Sequence, residues 1–232
     1  MAEPDVAPRR RRDREGTRRR VLDAVVATVV EVGYYKASSN EIARRAGVSW
    51  GSIDHLFGSR EQLMLDVVND LGQQLERLLA DQTLEGDTLE ERLRGVLDIL
   101  SMYYETDRYL VQMQILLDLS ANPKMSRQER RDIRTNGGEQ IDLLAQPLLV
   151  NALGDFAGER DLVVYAFMTF RGYLSSAAFA RMVADFPDGA VLRLMGRTTD
   201  EAQVRELLVR GVATTIRDEA RRRGYPAGHT PS

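Results

Sequence analysis

Residues 38–57 run SSNEIARRAGVSWGSIDHLF, and the punctuation of that stretch is that of two short helices. Ser38 and Glu41 have the spacing of a capping box. In it the hydroxyl accepts an N–H of the first helical turn and the carboxylate returns to the cap's own N–H. Ile42 and Ala43 follow as an apolar seam, and Gly47 supplies a left-handed residue that ends a helix without a Cβ penalty. Ser49 is placed to cap a second helix whose inward positions are Ile53, Leu56 and Phe57, at i, i+3 and i+4 spacing. Two short helices around an Ala-Gly-Val turn form a helix-turn-helix, the motif that lays its second helix in a major groove. Duplex DNA is the expected partner.

Upstream, Val21, Leu22, Val25, Val26, Val29 and Val30 repeat at helical spacing, so a first helix is expected from about Thr17 to Val32, stopped by Gly33. Arg18–Arg20 followed by VLDAVVATVV imitates a secretory signal. Asp23 interrupts the apolar run, however, and Glu31 follows it with no small-residue cleavage site. Residues 1–16, with Pro4, Pro8 and the run Arg9, Arg10, Arg11, Arg12, are expected to form a flexible basic arm. That arm either solubilises the chain or follows a DNA backbone into a minor groove. The DNA-binding domain is placed at residues 17–65.

Downstream, Ser59 is expected to cap a long helix carrying Met64, Val67, Val68, Leu71, Leu75, Leu78 and Leu79 on one face. Thr88 with Glu91 marks a second capping box, a shorter helix covers Asp107–Leu119, and Asn122-Pro123 breaks the chain. The next helix is expected to weaken at Gly137-Gly138 and kink at Pro147. No stretch alternates apolar and polar residues as a half-buried strand would. The fold is expected to be all-α, with about nine helices and residues 66–232 as a helical body for effector binding and dimerisation.

The closing helices carry the body's clearest signal. Leu162–Val183 is apolar in nearly every direction: Val163, Phe167, Phe170, Leu174 and Ala178 lie on one side, Met168 and Phe179 on another. A helix apolar all round must be covered all round. From Asp200 to Arg223 a narrower stripe runs through Val204, Leu207, Leu208, Gly211, Val212 and Thr215. Two such helices per subunit would pack as a four-helix interface about a two-fold axis, so a homodimer is expected. Burial inside a monomer is the alternative.

Composition narrows the function classes. The chain of 232 residues is 43% apolar and 29% charged, with net charge −3, no cysteine and two histidines. Disulfides and thiolate metal sites are excluded, a cytoplasmic address is expected, and a multi-histidine metal site lacks raw material. Residues 1–65 carry 12 basic and 9 acidic side chains, a net +3, whereas residues 66–232 carry 20 and 26, a net −6. A cationic head on an acidic body suits a protein presenting one end to a polyanion. There is no uninterrupted apolar stretch of membrane-spanning length. With no glycine-rich phosphate loop, metal-ligand cluster or nucleophile with an evident base, neither an enzyme nor a cofactor is expected.

From Arg18 to Leu65 the chain resembles the TetR family of one-component bacterial transcriptional regulators. The marks are a first helix ending in Gly33-Tyr34, then SxxEIA at Ser38–Ala43, AGVSxGSI at Ala46–Ile53, Phe57, and SREQL at Ser59–Leu63. The body resembles the family only in length, helix count and its apolar closing pair. The resemblance implies a dimer, most naturally a repressor on palindromic operator DNA, whose C-terminal domains hold a largely apolar small-molecule effector. Carried over by position, Ser38, Ser39, Ser49 and Arg60 would contact phosphates, and Trp50, Ser52, Asp54 and His55 would face the groove. The family usually has tyrosine where Asp54 stands and often histidine where Leu56 stands. Asp54 could accept from a cytosine N4 group, but pairing with Arg44 or Arg45 is the preferred expectation. Trp50 could pack on a thymine methyl or a sugar, or against a neighbouring helix.

Effector candidates are Met102, Tyr103, Met113, Leu116, Leu144, Phe167, Phe170, Arg171 and Leu174. Arg171, alone among apolar neighbours, needs water, a carboxylate or a bound anion. A constitutive or architectural DNA binder without an effector is the alternative function.

Overall fold

The computed structural model describes residues 6–183 and 200–226, with the side chains of 6–12 and 134–144 left outside the described set. Among the described residues there are nine α-helices, two short 3₁₀ turns and no strand. They are α1 (Val6–Val32), α2 (Ser39–Ala46), α3 (Trp50–Phe57), α4 (Arg60–Ala80), α5 (Leu89–Tyr104), α6 (Asp107–Ala121), α7 (Arg127–Leu153), α8 (Arg160–Val183) and α9 (Glu201–Arg222). α1 begins at Val6, well ahead of Thr17. Pro8 falls in its first turn, where a missing N–H removes no bond, and arginines are good helix formers. α7 runs unbroken through Gly137-Gly138 and Pro147.

The chain divides into two compact units, residues 1–74 with 111–137 and residues 75–110 with 138–232. The first is a helical head whose core is built from Val21, Val25 and Val29 of α1, Ile42 and Ala46 of α2, Ile53 and Phe57 of α3, and Leu63, Val67 and Leu71 of α4. Val111, Ile115 and Leu119 of α6 and Ile133 of α7 complete it. Arg18 bonds Asp66 at 2.8 Å and Arg19 bonds Asp70 at 3.1 Å, pinning α1 to α4.

In the second unit the capping box forms as the spacing predicts: Thr88 Oγ1 accepts from the Glu91 N–H, and Glu91 returns to the Thr88 N–H at 3.0 Å. Gly86, at φ 139°, lies so close that an added Cβ would sit 2.7 Å from the Glu91 Cβ. α5 packs against α8 and α9, and α8 against α9. Arg217 pairs with Glu90, and Arg94 with Glu206 at 2.8 Å. Replacing Thr88 by alanine leaves first-turn N–H groups unsatisfied, so we expect a loss of about 1 kcal/mol in urea unfolding, with serine retaining most of it.

α8 is the one helix among the described residues long and apolar enough to cross a membrane, with a mean hydropathy of 1.2 over its best window. Its Phe170 and Leu174 are buried within the second unit, as in the core helix of a globular domain.

Candidate nucleic-acid interface

Three consecutive helices start on serine caps. Ser38 Oγ accepts from the Glu41 N–H at 3.2 Å, Ser49 Oγ from the Ser52 N–H at 3.1 Å, and Ser59 Oγ from the Gln62 N–H at 3.0 Å. The capping box expected at Ser38 is only half formed. The Ser38 N–H is already taken by the Lys36 carbonyl at 2.8 Å, and Glu41 turns to Arg44, whose Nε donates at 2.9 Å. Gly47 holds the left-handed conformation the turn requires, at φ 68° and ψ 35°.

The turn sets the face that α3 shows. Ile53 and Phe57 are buried in the head core and Leu56 is half-buried against it, so Ser52, Asp54 and His55 stand exposed on the other side. Trp50, the first residue of α3, lies partly buried against the head core, which favours the neighbouring-helix role. Ser38 is exposed and Ser39 half-buried at the start of α2. Arg60 opens α4 half-buried, its guanidinium carbon 5.7 Å from the centre of the Tyr34 ring. The Arg9–Arg12 side chains lie outside the described residues.

The expected pairing of Asp54 with Arg44 or Arg45 is not what the structure shows. Arg44 is held by Glu41 at 2.5 Å, and Arg45 by Glu31. Carboxylates on α1 and on α2 itself reach those guanidiniums and leave Asp54 on the open face.

Two features beside this face have no local sequence signal. Lys36, exposed just ahead of α2, is a cation next to the Ser38 cap. Tyr34 Oη donates to Asp118 at 2.7 Å and its N–H to Gln114 Oε1 at 3.3 Å, joining the turn before α2 to α6. Burial, then the bond to Asp118, pushes the Tyr34 hydroxyl far above its ordinary pKa, so it stays a donor.

The effector candidates scatter. Tyr103, Phe167, Phe170 and Leu174 are buried in the second unit, where α5 meets α8. The Tyr103 hydroxyl is buried with no hydrogen-bond partner among the described residues, and Tyr109 Oη lies 3.1 Å from Ser175 Oγ beside it. Arg171 is half-buried, its guanidinium carbon 5.9 Å from the Phe167 ring centre. Met102 instead points to solvent, 51% exposed, because a single position along α5 rotates a side chain by about 100°. Met113 and Leu116 belong to the first unit, and Leu116 packs on the head core. The Leu144 side chain lies outside the described residues. An open cleft of about 660 Å³ in the second unit is lined by Gln82, Thr83, Leu84, Val150, Asn151, Gly154, Asp155 and Ala157, none of them an expected contact.

The proposed dimer face is mostly uncovered. Met168, Phe179 and Leu207 are 55%, 54% and 55% exposed, Gly211 and Thr215 are exposed, and Val204 and Leu208 are half-buried. Tyr165 Oη lies 3.3 Å from Thr215 Oγ1, so the α8 and α9 stripes adjoin. Val212 is the correction: it is buried in its own subunit, at the inward edge of that stripe.

A family model for bacterial regulatory proteins of the tetR family matches residues 21–67. The HTH-type transcriptional regulator BetI of Cronobacter sakazakii (strain ATCC BAA-894) is 32% identical over 119 residues, 49% of this chain and 58% of that protein. BetI of Escherichia coli O17:K52:H18 (strain UMN026 / ExPEC) is 35% identical over 83 residues, covering 35% and 43%. The chain thus spans about half the length of the curated relatives it matches. Among solved structures, a transcriptional regulator from Rhodococcus sp. Rha1 aligns with TM-score 0.57 at 18% identity, covering 87% of this chain and 96% of that one. A regulator of the TerR/AcrR family from Aquifex aeolicus VF5 aligns with TM-score 0.51 at 20% identity, covering 86% and 99%. At such identities the structural likeness carries the fold alone, while the family-model match lies in the head. In its capped helix-turn-helix, residues 21–67, the chain is similar to the DNA-binding region of bacterial regulatory proteins of the tetR family.

Proposed function

We propose that this protein is a ligand-responsive, dimeric transcriptional regulator that represses by binding palindromic operator DNA in the cytoplasm and is released by a small molecule held in its second unit. The observation that carries the reading is the exposed face of α3, with Ser52, Asp54 and His55 outward while Ile53 and Phe57 anchor it. Serine-capped helix starts on either side of that face offer N–H groups and hydroxyls to phosphate oxygens. The apolar stripe on α8 and α9 supports a two-fold dimer, which would present two such faces to two half-sites. The buried, unpartnered Tyr103 hydroxyl supports an effector that is mainly apolar but bears one hydrogen-bond acceptor.

The test is gel retardation on DNA flanking the chain's own gene, with and without candidate ligands. Retardation should weaken steeply with added salt as phosphate contacts release counterions. Failure to retard any such fragment at low salt would count decisively against the reading. A ligand screen by thermal shift in which nothing stabilises the protein would favour a constitutive DNA binder instead. Within that assay, Arg60→Ala should weaken binding to specific and random DNA alike, whereas His55→Ala should weaken some sequences more than others. Equal losses for His55→Ala on both kinds of DNA would remove it from base contact.

A further inference from the structure

Asp54 is a poor choice for the stability of the helix that carries it. It sits in the last turn of the eight-residue α3, where the helix's partial negative charge opposes a carboxylate, and aspartate is among the weaker helix formers. Its side chain is exposed, and four arginines of the head are paired with other carboxylates: Arg18 with Asp66, Arg19 with Asp70, Arg44 with Glu41 and Arg45 with Glu31. Among the described residues no ion pair holds the Asp54 carboxylate, and it stands next to His55 on the face turned away from the core.

We infer that Asp54 is a specificity-determining residue that selects a cytosine, accepting a hydrogen bond from its N4 amino group. The inference rests on the DNA-binding reading above and deepens it. An ionised carboxylate can only accept hydrogen bonds, and phosphates repel it. Along the major groove guanine offers two acceptors, and thymine an acceptor and a methyl group. Adenine places its amino group beside the N7 acceptor, which would face the second carboxylate oxygen. Cytosine alone presents an amino donor with no acceptor beside it on its own edge. The charge therefore acts in two ways. It lowers affinity for duplex DNA in general, and it restores affinity where a cytosine meets it.

The experiment is enrichment of binding sites from a random duplex library by the full chain, as wild type, Asp54→Asn and Asp54→Ala, with thermal melting of each protein. The wild type should enrich a motif with cytosine at one position of each half-site. In Asp54→Ala that preference should fall by about fivefold or more. In Asp54→Asn it should move towards adenine, which an amide can both donate to and accept from. Both variants should melt at or above the wild-type temperature and bind random DNA more tightly, which excludes misfolding as the cause. If the wild type enriches a motif and both variants reproduce it unchanged, the role of Asp54 is refuted and DNA binding stands. If the wild type enriches nothing, the DNA-binding reading itself fails and takes this inference with it.

Discussion

Ile53→Ala should abolish retardation of operator DNA while leaving a folded body, with a stability loss of about 2–5 kcal/mol in the head. Ile53 is fully buried at the centre of α3, on the side opposite Ser52 and His55. A helix of eight residues has almost no stability of its own in water, so its packing against α1, α2 and α4 keeps it helical and aimed outward. Truncation to alanine removes three carbons from a site where neighbours on all sides are already fixed, and the hole cannot close fully. Ile53→Val, which removes one methyl, should cost about 0.5–1.5 kcal/mol and keep binding. Urea unfolding followed by circular dichroism, with retardation at a temperature where both variants are folded, checks the pair. Ile53→Ala binding as tightly as the parent would mean that α3 needs no anchoring to read DNA.

Met168→Glu combined with Leu207→Glu should turn the proposed dimer into a single chain. Both residues are more than half exposed in the isolated subunit, on the adjoining α8 and α9 stripes. In a two-fold assembly each substitution enters twice, and like charges would face each other near the axis. Burying unpaired carboxylates there should weaken association by on the order of a hundredfold or more. Sedimentation or light scattering reads the change directly. Operator affinity should fall in parallel, because the second half-site is no longer held at high effective concentration. Unaltered dimerisation in the double variant would place the interface elsewhere, and a parent that sediments as one chain would remove it altogether.

What could be read from the chain depended on how local each signal was. Ser49, Gly47, Ile53 and Phe57 announce themselves within a dozen residues, because caps and helical spacing are matters of near neighbours, and the structure places each in the role expected. α8 was legible for a different reason. Being apolar on all sides, it had to have one covered side and one awaiting cover, and Phe170 and Met168 divide in that way. The fine edges of a stripe were less secure. Gly211 and Val212, or Met102 and Tyr103, are one position apart yet fall on opposite sides of a burial boundary. The start of α1 gives no such signal, because Arg9–Arg12 favour helix without showing any apolar period.

Long-range partners were not legible at all. The spacing of Val111, Ile115 and Leu119 says that α6 has an apolar side but not which core receives it. The bond between Tyr34 and Asp118 joins positions 84 apart in the sequence. Nor does the spacing around Asp54 say that Glu31 and Glu41 would claim its nearest arginines. Competition among charges is settled by the fold, and a linear pattern only names the competitors.

The inclusion of residues 111–137 in the head has a practical bearing on anyone building chimaeras from this protein. A graft that takes the first 65 residues onto a foreign sensor would leave behind Val111, Ile115 and Leu119, and with them part of the hydrophobic filling beneath α1 and α4. It would also strand the Tyr34 phenol without its carboxylate acceptor. A transplant that works has to be cut twice, carrying the far half of α6 along with the reader it supports.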